Sequence, residues 1–259
     1  MTSEELLAII EHARIEQSTR LFLSRRSITA LPPEIGQLAH LQSLALGHNH
    51  LRNLPPQIGQ LRQMDCLSAG NNRLASLPVE IWQLSRLGSL DLTGNQLQHL
   101  PSAIGRLVHL QSVFLSGNRL TRLPPEIGQL SQLTYLSLSE NQLTSLPPEI
   151  GRLVKMRELF LHNNRLRILP SEIGLLGDLQ TLYLQDNRLE QLPPEIGLLK
   201  HLMVLDVRSN PGSFPAFLGG LKKQGAGVYI PASYPDLPND ISIREPWDIK
   251  LYLTKDNKW

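Results

Sequence analysis

One segment of this chain returns every 23 residues, and that fixed step limits the folds open to it. The segment that starts at Leu41 has counterparts at constant spacing, which open at Met64, Leu87, Leu110, Leu133, Met156, Leu179 and Leu202. A weaker copy starts at Ser18, so the unit occurs about nine times. A unit this short cannot bury its apolar face alone. The copies must therefore stack into a solenoid with a continuous core.

Each half of the unit predicts a different local structure. Two alternating leucines, such as Leu44 and Leu46, share one face of a short strand that points into the solenoid. The other half, for example residues 123–130, contains two prolines, which exclude a strand and favour a turn with a short helical piece. Ile127 lies on the side of that piece that can reach the core, and Gly128 permits either a helix exit or close packing.

An asparagine follows the strand in every copy after the first. These residues are Asn49, Asn72, Asn95, Asn118, Asn141, Asn164, Asn187 and Asn210. The side chain offers donors and an acceptor, so it can satisfy backbone groups of the turn that stacking would otherwise bury without partners. The first copy carries Arg26 at this position, where a neighbouring coil is missing on one side.

The phrase LPPEIGxLxxLxxLxLxxNxL over residues 18–210 closely resembles the intracellular 23-residue leucine-rich repeats. Such repeats occur in Ras-suppressor-like proteins, in plant intracellular Ras-group repeat proteins and in the repeat portion of bacterial Roco proteins. The resemblance implies an α/β repeat solenoid, a right-handed superhelix with a concave parallel sheet. It also implies protein–protein recognition, often in signalling.

The two ends of the chain differ from the repeats, and we predict three segments: a capping helix in residues 1–17, the repeats in residues 18–210, and a degenerate last repeat with a cap or tail in residues 211–259. Thr2 and Glu5 have the spacing of a capping box. Leu6, Ile10 and Ala13 then form one apolar stripe.

The C-terminal segment has two interpretations. Residues 228–230 could form a final strand, and residues 231–259 are rich in proline and aromatic residues. They form either a cap over the last coil or a docking tail for a partner, since aromatic side chains rarely remain fully solvated.

Composition excludes several classes of function. The net charge of +2 is spread along the chain, so we expect no nucleic-acid binding, which needs a concentrated basic face. No stretch approaches the ~20 apolar residues of a membrane span. The first residues are acidic rather than basic, which argues against a signal peptide, and the single Cys66 excludes internal disulfides. These features predict a cytoplasmic protein, which we expect to be monomeric.

The sequence shows no recognisable catalytic or metal-binding motif. It has no phosphate-binding Gly-x-x-x-x-Gly-Lys-Ser/Thr loop and no Gly-x-Ser-x-Gly turn. His48 and His50 fit solvated turn positions better than a metal site. Cys66 lies inside a repeat strand and is interpreted as a bystander thiol. We therefore expect no enzymatic activity, cofactor or metal.

Outward positions on the strands remain as the source of specificity. The first half of the array offers small side chains there, whereas the second half gathers aromatic and charged ones. The predicted partner-binding patch contains Phe114, Tyr135, Phe160, Tyr183 and His162, bordered by Glu158, Asp206 and Arg208. The alternative is a set of unrelated surface aromatics. Because leucines already fill the core, we expect loss of Phe160 and Tyr183 to leave thermal stability nearly intact.

Taken as a whole, the sequence predicts a non-catalytic module that binds a protein partner on its concave face, in intracellular signalling. The alternative is a recognition arm of a larger enzyme system, such as a GTPase or a ubiquitin ligase effector.

Overall fold

Among the described residues, ten short strands form one parallel sheet in chain order. The computed structural model describes residues 1–212, residue 214 and the backbone of residues 227–229. The strands are β1 Arg20–Phe22, β2 Ser43–Ala45, β3 Cys66–Ser68, β4 Ser89–Asp91, β5 Ser112–Phe114, β6 Tyr135–Ser137, β7 Glu158–Phe160, β8 Thr181–Tyr183, β9 Val204–Asp206 and β10 Gly227–Tyr229. This arrangement confirms the predicted solenoid, with its sheet on the concave side.

Register in the sheet follows the repeat. Leu44 pairs with Leu67, and Val204 pairs with Gly227, so partners lie 23 residues apart from one end of the sheet to the other. Each strand therefore repeats the side-chain orientation of the one before it. The last strand begins one residue earlier than the sequence predicted.

The opposite side of each of the first eight coils carries a short 3-10 helix. The helices span Pro33–Gln37, Pro56–Gln60, Val79–Gln83, Ser102–Arg106, Pro125–Gln129, Pro148–Arg152, Ser171–Leu175 and Pro194–Leu198. Proline stands just before each of them in extended backbone, where its fixed φ and missing N–H cost nothing. Ile127 and Leu130 are fully buried, as predicted. A Cβ on Gly128 would lie 2.5 Å from the carbonyl oxygen of Glu149, so this glycine serves close packing between coils.

The N-terminal helix, α1, spans Ser3–Ile15 and packs on the first coil. Its predicted capping box is present: Thr2 Oγ1 accepts from the backbone N–H of Glu5, and the Thr2 N–H donates to the Glu5 carboxylate. Leu6, Ile10 and Ala13 are buried in the same core as the leucines. The helices among the described residues are too short or too polar to traverse a bilayer.

The proposed division of the chain into three segments stays a prediction, and the cap or tail at residues 231–259 lies outside the described residues.

Asparagine side chains join each coil to the one before it. Asn72 shows the pattern: its Nδ2 donates to the carbonyl oxygens of Ala69 in its own coil and Leu46 in the preceding coil, each at 3.0 Å. Its Oδ1 accepts from the N–H of Leu51 at 3.0 Å. All eight asparagines are buried, which confirms their predicted role. The ladder holds adjacent strands in a constant register beneath the concave surface.

Candidate binding surface on the concave sheet

The strands display three columns of side chains on the concave surface. The middle residue of each strand points inward, so its two neighbours point outward, and a third column follows two residues later. Adjacent parallel strands lie about 4.8 Å apart, so residues in neighbouring columns and strands touch. This geometry decides which of the predicted site residues meet.

Four rings form a continuous row across β5 to β8, which we call the aromatic row: Phe114, Tyr135, Phe160 and Tyr183. Successive ring centroids are 4.7, 5.1 and 5.2 Å apart. The ring of His162 meets the edge of Tyr183 at 6.3 Å. The predicted aromatic residues are therefore contiguous rather than scattered.

Burial within the aromatic row is greater than the sequence suggested. Phe160 lies between Tyr135 and Tyr183 and is only 8% exposed, while the other three rings are half-buried. The rings cover one another, because each is larger than the spacing between strands. Phe160 is thus part of the packing of the sheet, and this burial leads us to expect that its loss lowers stability.

A set of serines that the sequence analysis passed over lies among these rings. Ser139 Oγ is 2.9 Å from His162 Nδ1, and Ser116 shares a hydrogen bond with Ser137. Ser137 and Ser139 are buried. Burial lowers the pKa of His162, although nearby carboxylates oppose the shift. Burial therefore favours the neutral imidazole, whose Nδ1 lies within hydrogen-bonding distance of Ser139. In the sequence, the signal for these contacts was the presence of serine at outward strand positions next to aromatic residues.

Glu158 lies at one border of the aromatic row. It begins β7, directly opposite Tyr135 in the register, and is half-buried. Neither a hydrogen bond nor an ion pair engages its carboxylate within the described structure. Burial raises the pKa of Glu158, and burial together with the charge of Glu158 raises the pKa of Tyr135. Glu158 is thus a poorly solvated anion beside an aromatic face.

The other predicted border residues are already joined to each other. Asp206 is 1% exposed and accepts from Arg208, with 2.6 Å between Oδ2 and Nη2. The backbone N–H of Arg208 also donates to this carboxylate, at 3.1 Å. Beside them, Gln185 Oε1 is a buried acceptor that has no donor among the described residues. Asp206 therefore orients Arg208 and offers little surface of its own.

From β2 to β4 the concave surface is lined by small side chains, as predicted, whereas β1 presents the exposed Arg20 and Phe22. The carboxylate of Asp91, on β4, accepts two hydrogen bonds. Ser68 Oγ donates to it at 2.8 Å, and the backbone N–H of Thr93 donates to it at 3.0 Å. Cys66 is a free thiol, and burial raises its pKa.

Comparison with known proteins places these features in a family. A family model described as a leucine-rich repeat region matches residues 75–163 and 144–223. A leucine-rich repeat protein of Leptospira interrogans is similar in structure, with 33% identity and a TM-score of 0.64, over 85% of this chain and 69% of that one. No curated protein matches the sequence.

Two receptor structures are also similar. One is the ectodomain of the plant membrane receptor kinase GASSHO1/SCHENGEN3 from Arabidopsis thaliana, in complex with CASPARIAN STRIP INTEGRITY FACTOR 2. Its identity is 30% and its TM-score 0.71, over 78% of this chain and 25% of that one. The other is the plant peptide hormone receptor RGFR1 in complex with RGF2. Its identity is 25% and its TM-score 0.69, over 82% of this chain and 39% of that one. The chain thus spans well under half of each receptor chain.

Proposed function

This chain belongs to the leucine-rich repeat family, and from that premise we propose that its concave sheet is a non-catalytic docking surface for a protein or peptide partner. The observation that carries the proposal is the contiguity of the aromatic row, whose rings follow one another at 4.7 to 5.2 Å. Aromatic residues with a polar rim are enriched at the centres of protein interfaces. Rings already packed against each other lose little conformational entropy when a partner binds.

The similar receptors support this partner class. The receptor kinase and the peptide hormone receptor are each solved in complex with a ligand, and each shares the repeat fold with this chain. A repeat solenoid offers an extended concave surface that suits an extended partner segment. The bound partner would cross β5 to β8.

A catalytic role has little support from the side chains that could provide it. Ser139 and His162 have the spacing of a nucleophile and its base, but Ser139 is 2% exposed and out of reach of a substrate. Burial raises the pKa of Cys66, which disfavours its reactive thiolate. Among the described residues no group of three potential metal ligands comes together.

We place this binding in intracellular signalling, in the cytoplasm, as the repeat sequence and the single cysteine suggest. A fluorescent fusion of the protein expressed in its native host would test the location.

The surface can be tested with substitutions that introduce the residue already present at the equivalent position of a neighbouring strand. Tyr135→Ser copies Ser112, its register partner on β5, and Phe114→Ser copies Ser137 on β6. The matched control, Ser43→Ala, lies on the half with small side chains. A partner captured from the native host would be titrated calorimetrically against each purified variant.

We expect the double variant Phe114→Ser/Tyr135→Ser to weaken binding by at least ~2 kcal/mol, the threshold of an interface hot spot. The control variant should bind as the unaltered protein does. Equal affinity of the double variant and the control would show that the partner binds away from the aromatic row, and would refute the proposal.

A further inference from the structure

The carboxylate of Glu158 differs from those of Asp91 and Asp206 on the same sheet in having no partner among the described residues. Asp206 is held by Arg208, and Asp91 by Ser68 and Thr93. Glu158 is half-buried beside Tyr135, and within the described residues nothing donates to it. A carboxylate that loses water without gaining a donor or a cation is energetically unfavourable.

The fold has no need of this charge. The core beneath is filled by Leu159, which is fully buried. The register partners of Glu158 on the two flanking strands, Tyr135 and Thr181, are both uncharged. The strand therefore tolerates a neutral side chain here. The desolvated carboxylate is not required for folding, which points to a role in binding.

The surroundings of Glu158 suit a cation. The faces of the neighbouring rings carry partial negative charge, which attracts a guanidinium or an ammonium group. Two further carboxylates, Glu140 and Asp186, are exposed near His162 and act on it electrostatically. Arg208, on the same surface, is already joined to Asp206. Among the described residues, the charged groups that act on His162 are all carboxylates.

We propose that the segment bound on the aromatic row presents a cationic side chain, arginine or lysine, whose charge lies beside the Glu158 carboxylate and against the ring of Tyr135. This inference rests on the proposed function, because it names the chemistry of the partner at that same surface. Arginine suits the position better than lysine, since its planar guanidinium both stacks on a ring and donates two parallel hydrogen bonds to a carboxylate.

Small probes test this chemistry on the intact protein. N-acetyl-arginine N-methylamide and its lysine counterpart would be titrated by NMR, with the ring signals of Tyr135 and Phe160 as readout. N-acetyl-citrulline N-methylamide is the neutral isostere of the arginine probe. We expect the arginine probe to shift these ring signals and to bind about fivefold or more tightly than citrulline. Absence of such shifts, or equal binding of arginine and citrulline, would overturn the inference.

Two variants assign the effect to one carboxylate. Glu158→Gln should abolish the preference for arginine over citrulline, whereas Asp91→Asn, a control on the same sheet, should keep it. A preference that survives Glu158→Gln would place the cation elsewhere and overturn the inference.

The captured partner then separates this inference from the proposed function. We expect both Glu158→Gln and Tyr135→Ser to weaken the partner. If only Tyr135→Ser does, the cationic contact is wrong and the docking surface stands. If neither does, both proposals fail.

Discussion

The side-chain amide of Asn118 reaches back into the preceding coil and donates to the carbonyl oxygen of Leu92, with 2.9 Å between Nδ2 and O. Within its own coil it also donates to the carbonyl oxygen of Leu115 at 3.0 Å, and its Oδ1 accepts from the N–H of Leu97 at 3.0 Å. Asn118 is 6% exposed, so water cannot replace these bonds. One side chain thus satisfies three backbone groups across two coils.

Replacing Asn118 by alanine should therefore lower the free energy of unfolding by about 1–3 kcal/mol, because buried backbone donors and acceptors lose their partner. Urea denaturation followed by circular dichroism would measure the loss. Arg26→Ala is the matched control, since Arg26 occupies the same repeat position in the first coil and is exposed. It should cost less than about 0.5 kcal/mol. Equal losses in both variants would contradict the role of the asparagine ladder.

The residue just before each ladder position has left-handed backbone. These residues are Arg25, His48, Asn71, Gly94, Gly117, Glu140, Asn163, Asp186 and Ser209, all with φ between 53° and 66°. A residue with a Cβ is strained there by roughly 1–2 kcal/mol, while asparagine, aspartate and glycine tolerate the region. Glu140, at φ 53°, is not one of these tolerant residue types, so its backbone is strained.

Glu140→Gly should consequently raise the free energy of unfolding by about 0.5–1 kcal/mol, the relief of strain being partly offset by the greater flexibility of the unfolded chain. The reverse change at the equivalent position of the preceding coil, Gly117→Ala, should lower it by about 1 kcal/mol. Thermal unfolding of the two variants would give opposite shifts. A loss of stability in Glu140→Gly would show that its side chain matters more than its backbone.

The solenoid could be predicted because its unit repeats. The step of 23 residues determines both the strand register and the asparagine contacts. An ambiguous copy could therefore be interpreted from the other copies. The left-handed positions were missed, although their side chains gave a signal. Seven of the nine residues are Gly, Asn, Asp, Ser or His, and the other two are Arg25 and Glu140.

The candidate surface was predicted less completely, because it depends on features that do not repeat. Neighbouring aromatic positions indicated contact, and the rings do touch. The sequence did not indicate how deeply Phe160 would be covered, since that depends on the sizes of the two flanking rings. Nor did it separate Asp206, which has a cation, from Glu158, which has none.

Burial of Phe160 leads to a prediction about stability. Phe160→Ala should lower the free energy of unfolding by about 2–4 kcal/mol, because it opens a gap between two packed rings. Phe22→Ala is the matched control: Phe22 has the same position on β1 but is 64% exposed. Its loss should change stability by less than about 1 kcal/mol. Differential scanning calorimetry would decide, and similar melting temperatures would indicate that the ring of Phe160 contributes little.

The unpartnered carboxylate of Glu158 predicts a dependence of stability on pH. Burial raises the pKa of Glu158 in the folded protein above its unfolded value, roughly 4.3. The folded state therefore holds the proton more tightly. This contribution to stability is fully present below the unfolded pKa and is lost as pH rises through the folded pKa. At neutral pH the ionised group is a net cost to the fold.

Glu158→Gln should accordingly be more stable than the unaltered protein at pH 7, and the difference should vanish near about pH 3.5, where the carboxyl is protonated in both states. Urea denaturation at several pH values would measure it. Glu11→Gln provides a contrast of opposite sign: Arg14 donates to Glu11 and lowers its pKa, so this variant should not gain stability at pH 7.

A Glu158→Gln variant that is less stable at pH 7 would mean that the carboxylate has a partner in the fold. Greater stability together with weaker partner binding would instead mark Glu158 as a residue whose charge serves recognition at the expense of the fold.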